Sequence, residues 1–574
     1  MKLRVLPAIG LAALASNHAV AGGLFLPGSG AISTSRAGAA VASADDGEAL
    51  SINPAGLAKT KGWTLTISAA ITRYYMKFNR SGTYDAAGAS DVQGYEGDPL
   101  APVVNDPKPP LGIGSFQPIP VIAVVTDLGG RVKGLRLAAG LYAPNGYPFR
   151  DMSQGYTSSE GKFLDNTACT GSGCVAPPPT RYDVLTAEST ALFPSLAAAY
   201  RVHPTLDLGL RLSAGTAKAK TQVMVWGTTG NVEESVRNDT FATLDVKDGF
   251  IPTFGAGLTW RPTQALEIGA VYNSAAVFKT KGSGLSIKGP SVDAAKVVGP
   301  IDDNEVGNRL RCDAAGDFSV GGAVPACINL QLPQSATLAV RYKKLDSFGR
   351  LRGDIELDVG WENWGKTCDF DSAEGILADQ DCTSPGQFLV NLDAGLYVND
   401  VFTEALQVNV VNLGLQDVYT FRLGGSYVLP INDGGADPAG WPSSIILRGG
   451  LGYDTAAARE HWLRASFDGA ARTTATVGVA YRTPKWELNL GGGAVFEGTH
   501  ENGPAGQDGE ACNPTRVDPS GCAGAGASRP IADRLGPDPT NPLFAPEVQF
   551  ESPINQGTIT SHYVMFMLGY NRFW

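Results

Sequence analysis

The chain has 574 residues, with 56 Asp and Glu against 45 Lys and Arg and a formal net charge of −11. An acidic chain is a poor partner for nucleic acid, and after the N-terminus no run of ~18–20 apolar residues offers a membrane-spanning helix. A mean hydropathy of −0.04 fits a barrel in which lipid-facing apolar residues alternate with polar lumen residues and average out.

Lys2 and Arg4 precede an apolar run from Val5 to Ala15, and Ala19-Val20-Ala21 supplies small residues for cleavage. Residues 1–21 therefore read as a secretory signal, with a mature chain from Gly22. Residues 22–62 are rich in Gly, Ala and Ser and lack strand alternation. They read as a compact segment ahead of the strands. Asn and Asp bond nearby backbone and favour turns and caps, and Pro54 fixes one φ and removes a donor. Asp45, Asp46 and Glu48 are candidates to pair with arginines of a lumen.

From residue 63 to 574 the pattern is period-two. Leu206, Leu208, Leu210, Leu212 and Ala214 share one face of a strand, and Asp207, Gly209, Arg211 and Ser213 the other. Ile355, Leu357, Val359 and Trp361 oppose Asp354, Glu356 and Asp358, and Leu488 and Leu490 oppose Glu487 and Asn489. Alternation of this kind marks half-buried strands. The expected strands are 63–79, 117–128, 133–143, 187–202, 205–225, 249–260, 265–280, 329–344, 350–364, 416–429, 443–455, 472–482, 485–498 and 558–574. They predict a fourteen-stranded antiparallel transmembrane β-barrel in a bacterial outer membrane. An even count returns both termini to the periplasm, so short turns alternate with long outer loops. The last strand ends in Phe573-Trp574, which resembles the signal read by the barrel assembly machinery.

All eight cysteines fall in the long connections, as near neighbours: Cys169/Cys174, Cys312/Cys327, Cys368/Cys382 and Cys512/Cys522. Local pairs confined to one side point to disulfides made in an oxidising compartment. The chain holds 5 histidines at no metal-like spacing. Gly-x-Ser-x-Gly elbows and phosphate loops are absent. The sequence thus predicts no enzyme, no cofactor and no metal.

The run Ala44-Asp45-Asp46-Gly47-Glu48-Ala49-Leu50-Ser51-Ile52-Asn53-Pro54-Ala55-Gly56-Leu57-Ala58 resembles the hatch of the long-chain fatty acid transporters of FadL/TodX type. Gly28-Ser29-Gly30, Ser35–Ala40 and Gly140–Gly146 add to the resemblance. It implies an N-terminal hatch plugging the barrel, Asn53-Pro54-Ala55 within it, and a monomer in contact with lipid and lipopolysaccharide. It also implies uptake of fatty acids or similar hydrophobic molecules. Ligand would pass from the outer loops to an internal pocket, and then sideways through a kink in the third strand. Gly140 and Pro144 are the residues suited to that kink. Arg211 and Arg422 lie mid-strand on polar faces and are candidate partners of a substrate carboxylate; salt bridges within the lumen or to the hatch are the other reading. Two alternatives stay open: a transporter of aromatic hydrocarbons with the same fold, and an adhesin or receptor acting through its long disulfide-bearing loops.

Overall fold

The fold was obtained as a computed structural model, which describes residues 25–84, 95, 97–156, 176–226, 239–288, 295–298, 312, 323–368, 370–371, 376–377, 382–398, 401–405, 409–431, 443–459, 462–467, 469–502 and 557–574. The expected signal 1–21, the start of the mature chain at Gly22, and Cys169, Cys174, Cys512 and Cys522 lie outside the described residues.

Fourteen antiparallel strands close into a barrel. In chain order they are β1 Trp63–Arg80, β2 Gln117–Thr126, β3 Leu135–Tyr142, β4 Thr186–His203, β5 Leu206–Trp226, β6 Asp239–Trp260 and β7 Leu266–Asn273, followed by β8 Ser335–Leu345, β9 Leu351–Glu362, β10 Val418–Pro430, β11 Ser444–Asp454, β12 Arg472–Arg482, β13 Trp486–Asn502 and β14 Gly557–Phe573. Each pairs with the next, and β1 pairs with β14 along its length, from Thr64 opposite Phe573 to Arg80 opposite Gly557. Closure leaves no open edge in the bilayer, where an unpaired backbone group has no water to bond. Trp574 N–H donates to Trp63 O at 2.9 Å, so the two ends of the barrel meet.

The alternation read from sequence sets the two faces. Leu208, Leu210 and Leu212 of β5 point outward, whereas Asp207 and Arg211 are buried inward. On β9, Ile355, Leu357 and Val359 face lipid and Asp354, Glu356 and Asp358 face the lumen. The inward face of β1 changes character along its length. Thr64, Thr66, Ser68 and Thr72 come first, then Tyr74, Met76 and Phe78. The lumen is therefore polar toward the periplasmic turns and apolar toward the long loops.

Two expected strands are each two. The stretch 265–280 breaks after Asn273, and Ala276–Lys288 continues above the barrel; 329–344 breaks between Ala323–Leu332 and Ser335–Leu345, at Pro333. Proline lacks the ladder donor, which suits a break. Ala276–Lys288 pairs with the upper part of β6 and with Ala323–Leu332. That strand pairs in turn with Gln387–Leu392, which pairs with Asn409–Asn412. Parts of 226–248, 281–328 and 365–415, expected as loops, thus form a sheet standing on the rim. Cys312–Cys327 and Cys368–Cys382 are disulfide-bonded there, with Cα atoms 5.6 and 6.0 Å apart.

Candidate functional site

Residues 25–62 lie inside the barrel and bond to its wall on several sides. Two short turns, Ala31–Thr34 and Ala49–Ile52, precede a 3₁₀ turn, Pro54–Lys59. Asn53 caps that turn: its Oδ1 accepts Ala55 N–H at 3.1 Å, and Pro54 occupies the first position, where a missing donor costs nothing. Asn53 Nδ2 also donates to Val41 O at 2.8 Å and to Leu258 O of β6 at 3.2 Å. The wall makes room with glycine. A Cβ at Gly209 would overlap Ala55 N, and one at Gly257 would overlap Asn53 Oδ1.

The ionic contacts run opposite to expectation. Asp46 and Glu48 are buried and have no arginine partner among the described residues. Glu48 accepts Ile32 N–H at 3.0 Å, Ser33 N–H at 2.9 Å and Ser68 Oγ–H of β1 at 2.8 Å. Asp46 accepts Glu48 N–H at 3.0 Å and Asn571 Nδ2–H of β14 at 2.8 Å. Asp45 is exposed and makes no ion pair among the described residues. Burial, reinforced by the charges of Glu48 and Asp45, pushes the Asp46 carboxyl well above the usual carboxylate range, and burial raises Glu48 as well. The pairing acids belong to the wall instead. Arg36 of the N-terminal segment meets Asp354 at 3.1 Å and Glu356 at 2.9 Å. Glu356 also accepts Ala42 N–H at 2.6 Å, and Asp358 accepts Ala40 and Val41 N–H at 3.0 and 3.1 Å. A short-chain Gly/Ala-rich segment offers mainly backbone donors, and carboxylates are the acceptors that bind them most strongly.

Arg211 donates to Leu50 O and Ser51 O at 3.1 and 3.2 Å and to Asn273 Oδ1 at 3.0 Å, so it closes the end of the Ala49–Ile52 turn. Arg422 is ion-paired with Asp454 of β11. Both arginines already have protein partners.

On the loop side of this segment lies a buried apolar cluster, which we term the chamber. Its members include Tyr74, Met76, Tyr147, Phe149, Trp364 and Met567. Phe25 stands 5.8 Å from Trp364, ring to ring. Arg150 is only 3 % exposed. Its Nη1 donates to Tyr147 O and Phe149 O, both at 3.0 Å, and its Nε to Ala465 O at 3.2 Å. Its guanidinium stands 4.5 Å from the centre of the Tyr74 ring. No carboxylate lies within ion-pair distance among the described residues. Sequence reading missed Arg150, which sits in a long connection with no strand pattern to mark it.

The wall beside this chamber is interrupted. The β3 ladder ends at Tyr142, opposite Val121 of β2 and Phe193 of β4. Gly140, the candidate kink glycine, still pairs with Ala123 and Ser195; a Cβ there would meet Leu50 of the N-terminal segment. Past Ala143 the chain turns inward at Pro144. Asn145 Nδ2 donates to Leu26, Pro27 and Gly28 carbonyls at 2.6–3.1 Å. The chain regains the wall at Arg150–Asp151, opposite Thr186–Ala187. Between Tyr142 and Arg150, β2 and β4 therefore have no strand between them among the described residues.

The family described as outer membrane protein transport protein (OMPP1/FadL/TodX) matches residues 177–497. The chain belongs to this family. Like other FadL/TodX-type barrels it is an outer-membrane transporter of hydrophobic compounds. Among solved structures it is similar to a Pseudomonas aeruginosa FadL homologue, at 13 % identity over 96 % of this chain and 99 % of that one, TM-score 0.59. The Pseudomonas putida toluene transporter TodX is similar at 13 % identity, 96 % and 99 % coverage and TM-score 0.53. The Ralstonia pickettii toluene transporter TbuX is similar at 14 % identity, 96 % and 99 % coverage and TM-score 0.52. These structural likenesses speak to fold alone. No curated protein matches.

Proposed function

We propose that this FadL/TodX-type chain imports long-chain fatty acids and that Arg150 receives the carboxylate. The observation that supports this reading is a buried guanidinium among apolar side chains with no carboxylate within reach among the described residues. A charge left unpaired away from water is costly, and in real proteins the penalty is several kcal/mol. An arriving carboxylate would offset that penalty, because a guanidinium forks onto both oxygens. The acyl chain would then lie against Met76, Phe149 and Met567, whose side chains have no polar demand to meet.

Residues 25–62 act in this reading as the hatch. They close the polar half of the lumen, so ligand in the chamber has no apolar path straight down. The exit is sideways, through the interval between β2 and β4 where β3 stops, with Gly140 and Pro144 at its edge. Asn145 holds Leu26–Gly28 across this interval, so movement of the N-terminal segment would open it.

A second reading, import of neutral aromatic hydrocarbons, draws on the many rings of the chamber: Tyr74, Tyr147, Phe149, Trp364 and Tyr563. Ligand binding to purified protein separates the two. Arg150→Met keeps bulk and removes charge. It should weaken oleate by ~1.5–3 kcal/mol, the worth of a charge-assisted bond, and leave toluene unchanged. Arg211→Met and Arg422→Met should weaken both ligands alike, since each would disturb lumen packing. If Arg150→Met spares oleate, the hydrocarbon reading stands in its place.

A further inference from the structure

We propose that residues 462–467, on the connection from β11 to β12, are an entry lid over the apolar chamber, latched by Asp183 on the connection that leads into β4. The proposal rests on the reading of that chamber as the ligand site and concerns how ligand reaches it.

Three observations carry it. The first is the latch. Asp183 Oδ1 accepts Arg464 Nε–H at 3.1 Å, Arg464 Nη2–H at 2.9 Å and Ser466 Oγ–H at 2.7 Å, while Oδ2 accepts Ser466 N–H at 2.9 Å. One carboxylate takes four donors, all from the lid. Its side chain is 1 % exposed, against 21 % for Arg464. Charge-assisted bonds of this kind, buried on the acceptor side, are the stronger sort.

The second is position. In a closed ring of fourteen strands, β4 and β11 stand half-way round from each other. A bond from the approach to β4 to the segment after β11 therefore spans the mouth. A contact that only braced neighbouring loops would join adjacent strands.

The third is what the lid covers. Trp462, Leu463 and Ala465 are buried in the same apolar cluster as Tyr147, Phe149 and Trp364. Phe467 packs edge-on against Trp364 at 5.7 Å, and Trp364 packs against Phe25 of the N-terminal segment at 5.8 Å. Ala465 O accepts from Arg150 Nε. The lid thus rests on the proposed carboxylate residue and on the ring that touches the hatch. Lifting it would uncover the chamber, free one donor of Arg150 and release one face of Trp364. Asp183 and Arg464 are positioning residues here, since neither needs to touch ligand.

The test is initial uptake of oleate and of toluene by cells carrying the full-length protein. Asp183→Asn keeps the shape and places an amide N–H2 where an acceptor faced Ser466 or Arg464. It should raise uptake of both ligands about ten-fold, the effect of removing roughly 1.4 kcal/mol from the closed state. The double variant Asp183→Cys/Ser466→Cys, oxidised, should cut uptake of both at least ten-fold and recover with mild reductant. Wild type under the same reductant controls for the native disulfides. Heat-resistant migration in gels confirms a folded barrel, and if Asp183→Asn does not fold, the cross-linked variant decides. Wild-type uptake by Asp183→Asn, or by the cross-linked form, would overturn the lid. Its failure is separable from that of the fatty acid reading: a lid affects both ligands equally, whereas Arg150→Met discriminates between them.

Discussion

Gly209 and Gly257 carry no chemistry, yet they decide where the Asn53-Pro54-Ala55 turn can sit. A side chain at either position has to enter the space that the turn occupies. Gly257→Val should displace the turn and raise single-channel conductance in planar bilayers; unchanged conductance would mean that the turn does not seal. The buried carboxylates give a second residue-scale expectation. A carboxyl with a raised folded pKa contributes stability that is present below its unfolded value of about 3.9 and is lost as pH rises through the folded value. Asp46 is raised well above that range, so the N-terminal segment should hold most tightly in acid. Leak current should grow as the pH is raised from about 4 toward neutrality, and Asp46→Asn should flatten that rise. A leak independent of pH in the wild type would remove Asp46 from the seal. Asn53 and Pro54 were legible in the sequence because capping and turn residues announce themselves. Gly209 and Gly257 were not, because a strand glycine says nothing about what it makes room for. Arg211 drew attention by standing on a periodic strand, and Arg150 escaped it by standing on none.

The barrel strands were readable because each must satisfy lipid on one side and lumen on the other, which forces strict alternation. That constraint ends at the rim. Above it, Ala326 and Ile328 of Ala323–Leu332 and Phe388 and Val390 of Gln387–Leu392 pack in one cluster with Leu244 and Val246 of β6, and the two-sided pattern is lost. Most of the rim sheet was therefore read as loop, apart from 276–280 and 329–332. Its disulfides close short segments, 15 and 14 residues apart, and each nominally contributes ~2–4 kcal/mol through loop entropy. Since both bridges lie outside the ladder of fourteen strands, reduction should speed proteolysis of 281–328 and 365–415 and leave the heat-resistant barrel intact. Loss of the barrel on reduction would tie the rim sheet to the fold of the whole. Peptide mapping without reduction is expected to show 169–174 and 512–522 beside the two bridges described.

At the scale of the molecule, the lumen divides into a polar half filled by residues 25–62 and an apolar half under the lid. Deleting 25–62 removes the donors that Asp354, Glu356 and Asp358 now accept from. Water would replace them, because the opened lumen is wide enough to hydrate. The variant should fold and conduct far more than the wild type in planar bilayers. A folded variant with unchanged conductance would mean that another segment closes the channel. The motif marked residues 44–58 in the sequence, and the pairing of wall acids with backbone amides of residues 25–62 came only from the three-dimensional arrangement.

Asp46 takes one of its two partners from Asn571, three residues from the C-terminal end, and Asn571 Oδ1 in turn accepts from Thr66 of the first strand. A contact of the N-terminal segment thus depends on β14, the strand that closes the barrel onto β1. A barrel that lacks β14 would also lack this contact to the segment that fills its polar half. Seating of the N-terminal segment is then coupled, through one amide among its several wall contacts, to closure of the barrel.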